Sequence, residues 1–192
     1  MMFAGSVRIR HILALILASL PALYLLLFRV PYRSKRMMIF LNPWADKRGA
    51  GFQIIQSFIA LGSGGLFGVG LGQSRQKLFY LPASHTDFIF SIIGEELGFI
   101  GSASIVILFM IFIWQGMKVA FRALDVFGRQ LALGIVSLIG LEAIINIGVT
   151  AGALPTKGLP LPFISYGGSG LILHMAAVGL LLNAAKSCET CR

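Results

Sequence analysis

The chain has 192 residues, of which 57% are hydrophobic and 12% charged, with a mean hydropathy of +0.87. About a quarter of an ordinary soluble domain is charged, so a soluble globular fold is excluded and an all-α integral membrane protein is expected. Sixteen Lys and Arg against seven Asp and Glu give +9, but the basic residues lie between apolar spans, where anionic headgroups or a phosphorylated lipid fit and nucleic acid does not.

A helix needs roughly 20 apolar residues to cross the hydrocarbon of a bilayer. Residues 12–28 carry no charge, lie between Arg8, Arg10 and Arg29, and contain Pro21 as an expected kink, so they read as a first span rather than a signal peptide. The segment 31–86 is not linker in composition. Arg33, Lys35 and Arg36 lead into the turn-rich NPWADKRGAG, after which Phe52, Ile55 and Ile59 at i, i+3, i+7 predict a short helix in the membrane interface. GSGGLFGVGLG then places six glycines in eleven residues. It matches neither GxGxxG nor a P-loop, and close backbone packing or a mobile loop is the expectation.

A second span is predicted over 97–114, its helix starting near Thr86 or Asp87, both good N-cap types. A third covers 131–154, interrupted by Glu142 and Asn146, and a fourth covers 169–185 with His174 inside it. Cys188 and Cys191 form a lone terminal CxxC, expected on a thiol-reducing side. The predicted loop 115–130 carries Lys118, Arg122 and Arg129 and is cytoplasmic by the positive-inside rule. That divides the chain into a cytoplasmic N-terminus with the first span (1–30), a long extracytoplasmic loop (31–86), and three further spans with a cytoplasmic tail (87–192), residues 155–168 lying outside. The outer loop is itself basic, with Arg33, Lys35, Arg36, Lys47, Arg48, Arg75 and Lys77, so charge alone leaves the orientation open. A loop that holds a pyrophosphate has reason to be basic.

The runs NPWADKRGAGFQIIQSFIALGSGGLFGVGLGQSRQKLFYLPASHTDFIFSIIGEELGFIG (42–101) and INIGVTAGALPTKGLPLPFISYGGSG (145–170) closely resemble the SEDS family of bacterial cell-wall proteins, FtsW, RodA and SpoVE. GLGQSRQK and LPTKGLPLPF look more like the FtsW and SpoVE branch. The resemblance implies a ten-span helical protein of the bacterial cytoplasmic membrane that polymerises lipid II, an undecaprenyl-pyrophosphate-linked precursor, outside that membrane. It implies the orientation above, with both termini cytoplasmic. This chain reads as the C-terminal part of such a fold: four transmembrane helices plus the long extracytoplasmic loop with short interfacial helices. The partners implied are lipid II, a class B penicillin-binding transpeptidase, divisome membrane proteins and membrane lipids.

Making a β-linked glycan from an α-linked sugar pyrophosphate inverts the anomeric carbon, so one displacement suffices, with one base for the acceptor hydroxyl and cations for the departing pyrophosphate. Asp87, in HTDF, matches the family's essential acidic position and is the expected catalytic base; the competing role is a helix cap worth about 1 kcal/mol. Glu95 and Glu96 stand elsewhere on that helix, Glu95 roughly 12 Å and about 80° from Asp87, and are expected to pair within the bundle or line a polar cavity. Glu142 is expected to pair with Asn146 or His174. Arg75, Lys77 and Lys157, with Arg48 as a further candidate, are the cations for the pyrophosphate, each singly also a fair interfacial anchor. His85 stands two residues before Asp87. SYGGSG places Ser165, Gly167, Gly168 and Ser169 at the start of the last span, an anion-accepting helix start or a plain one capped by Ser165 or Ser169. Relatives commonly read LPEAHTDF where this chain has Ala83 and Ser84, one outer carboxylate fewer. A divalent metal, magnesium or manganese, fits the departure of pyrophosphate; no nucleotide, haem or zinc is expected. A transporter of the same precursor and an inactive fragment are the competing readings.

Overall fold

The computed structural model describes residues 10, 13–15, 17–21, 39–46, 49, 51–74, 87–123, 125–156 and 158–190. All of the regular structure in them is helical. A 3-10 turn, Pro43–Asp46, precedes α1, Phe52–Ser63; three longer helices follow, α2 (Ile89–Arg122), α3 (Val126–Thr150) and α4 (Gly168–Thr190). These three are long and apolar enough to cross a membrane, α4 over Gly168–Lys186. The predicted first span lies largely outside the described residues; within it, 13–15 and 17–21 are helical.

The three later predicted spans exist, with different ends. The α2 helix does start near Asp87, but its cap is Phe88, without a side-chain capping hydrogen bond, so the expected capping role of Asp87 is corrected; Thr86 lies outside the described residues. At its other end α2 runs on to Arg122 and the next helix begins at Val126, so the expected loop 115–130 is mostly helix. Lys118 does not stop the helix: its ammonium sits 4.2 Å from the centre of the Trp114 ring, one turn back along α2. Asp125 starts α3 by accepting a hydrogen bond from the Gly128 N–H. α3 stops at Thr150 rather than 154, because Gly152 turns the chain at φ 73°.

α3 is the central helix: 44% of its apolar window is buried, against 6% for α2 and α4. Ala120, Ala132, Ile135, Val136, Ile139 and Leu181 form the core where α2, α3 and α4 meet. A Cβ on Gly116 would stand 2.3 Å from Val136 Cγ2, so a missing side chain on α2 admits one from α3. α1 docks beside α2 and the end of α3, where the Ser57 hydroxyl donates to the Thr150 carbonyl at 2.9 Å. Among the described residues Phe52, Ile55 and Ile59 do lie on this short apolar helix, with Ile55 buried and Ile59 exposed.

The glycine-rich segment explains itself against α2. That helix is broken at Gly98, which has φ 69° and ψ −164°, a region open only to glycine. The loop enters the break. Val69 and Gly70 N–H donate to the Glu95 and Glu96 carbonyls at 3.0 and 3.1 Å, and Phe99 and Ile100 N–H donate to the Gly65 and Leu66 carbonyls at 2.9 and 3.3 Å. In an unbroken helix Phe99 and Ile100 would bond Glu95 and Glu96 directly. The loop thus satisfies both sides of the opened ladder, which a helix in an apolar surrounding requires. Of the two expectations for these glycines, close backbone packing is what the structure contains.

Candidate active site

Asp87 lies in the turn before α2, half-buried. Its backbone is held from α3: the Asn146 amide donates to the Asp87 carbonyl at 3.0 Å and to the Leu159 carbonyl at 2.7 Å. One buried side chain therefore ties the α2 turn to the loop between α3 and α4. Phe88, buried beside Val149, anchors the same turn. The carboxylate itself caps no helix, and among the described residues it has no hydrogen-bond partner. Gly158, next in sequence to Lys157, lies against it: a Cβ there would stand 3.0 Å from Asp87 Oδ2.

The loop 159–167 forms the opposite wall. Leu161 is buried with Phe90 and Ala143, and its N–H donates to the Ser165 hydroxyl at 2.7 Å while the Ser165 N–H donates back to the Leu161 carbonyl at 3.0 Å. Inside this closed turn Phe163 is held at φ 65°, a left-handed conformation unusual for an aromatic residue. The loop then delivers Gly167 to the start of α4. No heavy atom lies within 4 Å of where a Cβ would be at Gly167, Gly168 or Gly170, so the start of α4 has open space beside these glycines.

Asp87, Ser165, Tyr166, Gly167, Phe163 and His174 are among the residues lining a cavity of about 300 Å³. Three predicted residues, Asp87, Ser165 and Gly167, meet there, with Gly168 and Ser169 in the adjoining helical turn. Arg48, Arg75, Lys77, His85, Lys157 and the terminal Cys191 lie outside the described residues, as does the Cys188 side chain. Glu95 and Glu96 do not line this cavity. Glu95 is buried and accepts a hydrogen bond from the Ser74 hydroxyl at 2.5 Å, fastening the end of the glycine loop. Glu96 has a buried Oε1 without a partner among the described residues. Glu142 pairs with His174 rather than Asn146, Oε2 to Nε2 at 2.7 Å.

Asn146 is the residue that sequence reasoning missed in its actual role; an uncompensated amide in an apolar span was the available signal. Its replacement by leucine leaves two carbonyls unpaired, at about 1–3 kcal/mol each when buried. Asn146→Leu is expected to lower the midpoint of thermal unfolding in detergent, and activity per folded molecule to fall about tenfold as the Asp87 turn loosens. A melting curve and a rate measured on the same preparation check both.

A larger apolar groove of about 540 Å³ beside the helix break, lined by residues such as Leu61, Phe90, Phe99 and Met110, has no titratable side chain. Among the described residues no three His, Cys, Asp or Glu side chains converge as a metal site, and Asp87 is the sole carboxylate lining the smaller cavity. These side chains do not by themselves make a divalent-cation site.

Membrane-length helices, one of them broken around an inserted loop, and a one-carboxylate cavity at their end define a multi-pass helical membrane protein. Residues 1–190 match the family model of the FtsW/RodA/SpoVE cell cycle proteins, and the chain belongs to that family. It is 54% identical over 185 residues to the "Probable peptidoglycan glycosyltransferase FtsW" of Geobacter metallireducens, covering 96% of this chain and 49% of the relative. It is 52% identical over 186 residues to the stage V sporulation protein E of Bacillus subtilis, covering 97% and 51%. The chain thus spans about half the length of the curated relatives it matches. A solved structure described as a peptidoglycan synthase complex that coordinates polymerization and crosslinking superposes with a TM-score of 0.73 at 30% identity, over 97% of this chain and 52% of the other. A crystal structure of the Thermus thermophilus rod shape determining protein RodA gives a TM-score of 0.52 at 32% identity, over 68% and 39%.

Proposed function

We propose that this chain forms the catalytic part of an FtsW-like peptidoglycan glycosyltransferase, which polymerises lipid II by inverting transfer with Asp87 as base. The observation that carries the reading is the Asp87 carboxylate: committed to no cap, it lines a cavity closed on the far side by the start of α4. In the reaction Asp87 takes the proton of the acceptor hydroxyl, the freed oxygen bonds to the anomeric carbon, and the bond from that carbon to the pyrophosphate oxygen breaks. The N–H groups at the α4 start, with Ser165, Gly167, Gly168 and Ser169, face the departing anion, and Lys157, Lys77, Arg75 and His85 are its side-chain partners. A divalent metal would add positive charge at the same anion, and no step is assigned to it. The orientation is part of this reading: Lys118, Arg122, Arg129 and Lys186 lie toward the end of the bundle away from Asp87, which by the positive-inside rule supports a cytoplasmic side for that end of an inner-membrane protein and an outer side for the cavity. A class B penicillin-binding transpeptidase and other divisome membrane proteins are the partners, and cell division or sporulation the setting.

The test is lipid II polymerisation, read on a gel, by the chain joined to the N-terminal half of a relative and supplied with its transpeptidase. Glycan strands support the reading. Movement of lipid II across a bilayer without strands supports the transporter, which the Glu142–His174 pair inside two membrane-length helices favours. Neither activity leaves the inactive fragment. Lys77→Ala and Lys157→Ala are each expected to raise the apparent KM for lipid II about tenfold with little change in kcat; an unchanged KM removes that lysine from the anion site.

A further inference from the structure

His174 lines the cavity but has no part in the reaction above. It lies six residues past Gly168, about 9 Å along α4, so it sits well below the helix start. Its imidazole is held on two sides. Glu142, from α3, accepts at 2.7 Å from Nε2, and the Phe163 ring meets the imidazole edge to face at 5.6 Å. A carboxylate only accepts, so the hydrogen is on Nε2, and in the neutral ring Nδ1 carries a lone pair. Nδ1 has no partner among the described residues, and His174 lines the same cavity as Asp87. Joining α3 to α4 needs one nitrogen; the second remains for whatever fills the cavity. A volume of about 300 Å³ is at the small end for a ligand site, room for one sugar-sized group and not for a whole disaccharide peptide. The remaining lining is mostly apolar, with Pro160, Leu161 and Leu171, so a polar group placed there finds few partners other than Asp87, Ser165, Tyr166 and His174.

We propose that His174, oriented by Glu142, is a specificity contact that accepts a hydrogen bond through Nδ1 from a hydroxyl or amide of one sugar ring of the lipid-linked substrate. The inference rests on the lipid II reading, but its test needs no turnover. The full chain in nanodiscs is titrated with fluorescent lipid II and, separately, with undecaprenyl pyrophosphate, which has the anion and no sugar. His174→Leu is expected to weaken lipid II binding about tenfold and to leave undecaprenyl pyrophosphate binding within about threefold. His174→Gln, whose amide can donate to Glu142 and offer an oxygen to the cavity, is expected to restore lipid II binding to within about threefold of wild type. Equal lipid II affinity for wild type and His174→Leu, equal weakening toward both ligands, failure of glutamine to rescue, or no lipid II binding by the wild-type chain each overturns the assignment. If His174→Leu does not accumulate as folded protein, Glu142→Leu/His174→Leu replaces it with the same expected readings, because removing both members leaves no unpaired buried charge. Glycan synthesis by the completed protein is scored apart, so loss of the glycosyltransferase reading and loss of this contact are distinguishable.

Discussion

Asp87→Asn in the completed protein is expected to lower lipid II polymerisation by about 10²–10⁴-fold, the range removed with a general base. Thermal stability is expected to stay as it was. Among the described residues the Asp87 carboxylate makes no hydrogen bond, while the contact that holds this residue, Asn146 to its carbonyl, belongs to the backbone and survives the change. Asparagine is also a good helix cap, so a capping role predicts nearly full activity. The two explanations differ by orders of magnitude in one gel assay on equally folded protein. Retained strands from Asp87→Asn would remove the base from Asp87 and move the search to another group of the cavity.

Gly98→Ala is expected to be among the most damaging single-methyl additions in the fold. The backbone at φ 69° and ψ −164° is closed to a side chain, and a Cβ would stand 2.4 Å from Gly68 N and 2.6 Å from the Leu66 carbonyl. No flexible side chain can yield there, since both neighbours are backbone. The substituted chain either carries the strain or closes the helix and expels the loop, releasing the bonds of Val69 and Gly70 to the Glu95 and Glu96 carbonyls. A loss of about 3 kcal/mol is expected, about 6–12 °C in Tm for a chain of this size. Thermal unfolding followed by size-exclusion chromatography in detergent checks it, and an unchanged melting point would mean that the loop does not depend on the break.

Much of this was legible in the residues. Length and apolarity are enough to find α2, α3 and α4, because a span is recognised by composition over about 20 residues and not by any partner. Phe52, Ile55 and Ile59 marked α1 through their helical spacing. The family was legible in two long motif-bearing runs, and the family model bears it out. The ends were not legible. Lys118 and Arg122 looked like loop residues because charge is costly in a bilayer, yet long side chains let a helix continue past them. Asp87 looked like a cap because aspartate often is one; which residue caps depends on where the helix actually begins.

The sequence by itself determined that this is a helical membrane chain, where three of its spans lie, and which carboxylate stands at the head of α2, since these follow from local composition and motif. Only the tertiary structure decided what the glycines are for, because a loop that fills a break in α2 is joined to it by bonds between residues about thirty positions apart. It alone brought Asp87, Ser165 and His174 around one cavity, and chose His174 over Asn146 as the partner of Glu142. The physical reason is shared. Hydropathy acts within a segment, whereas a backbone carbonyl or a buried carboxylate must find a donor wherever packing brings one, and that place is set by how α2, α3 and α4 meet.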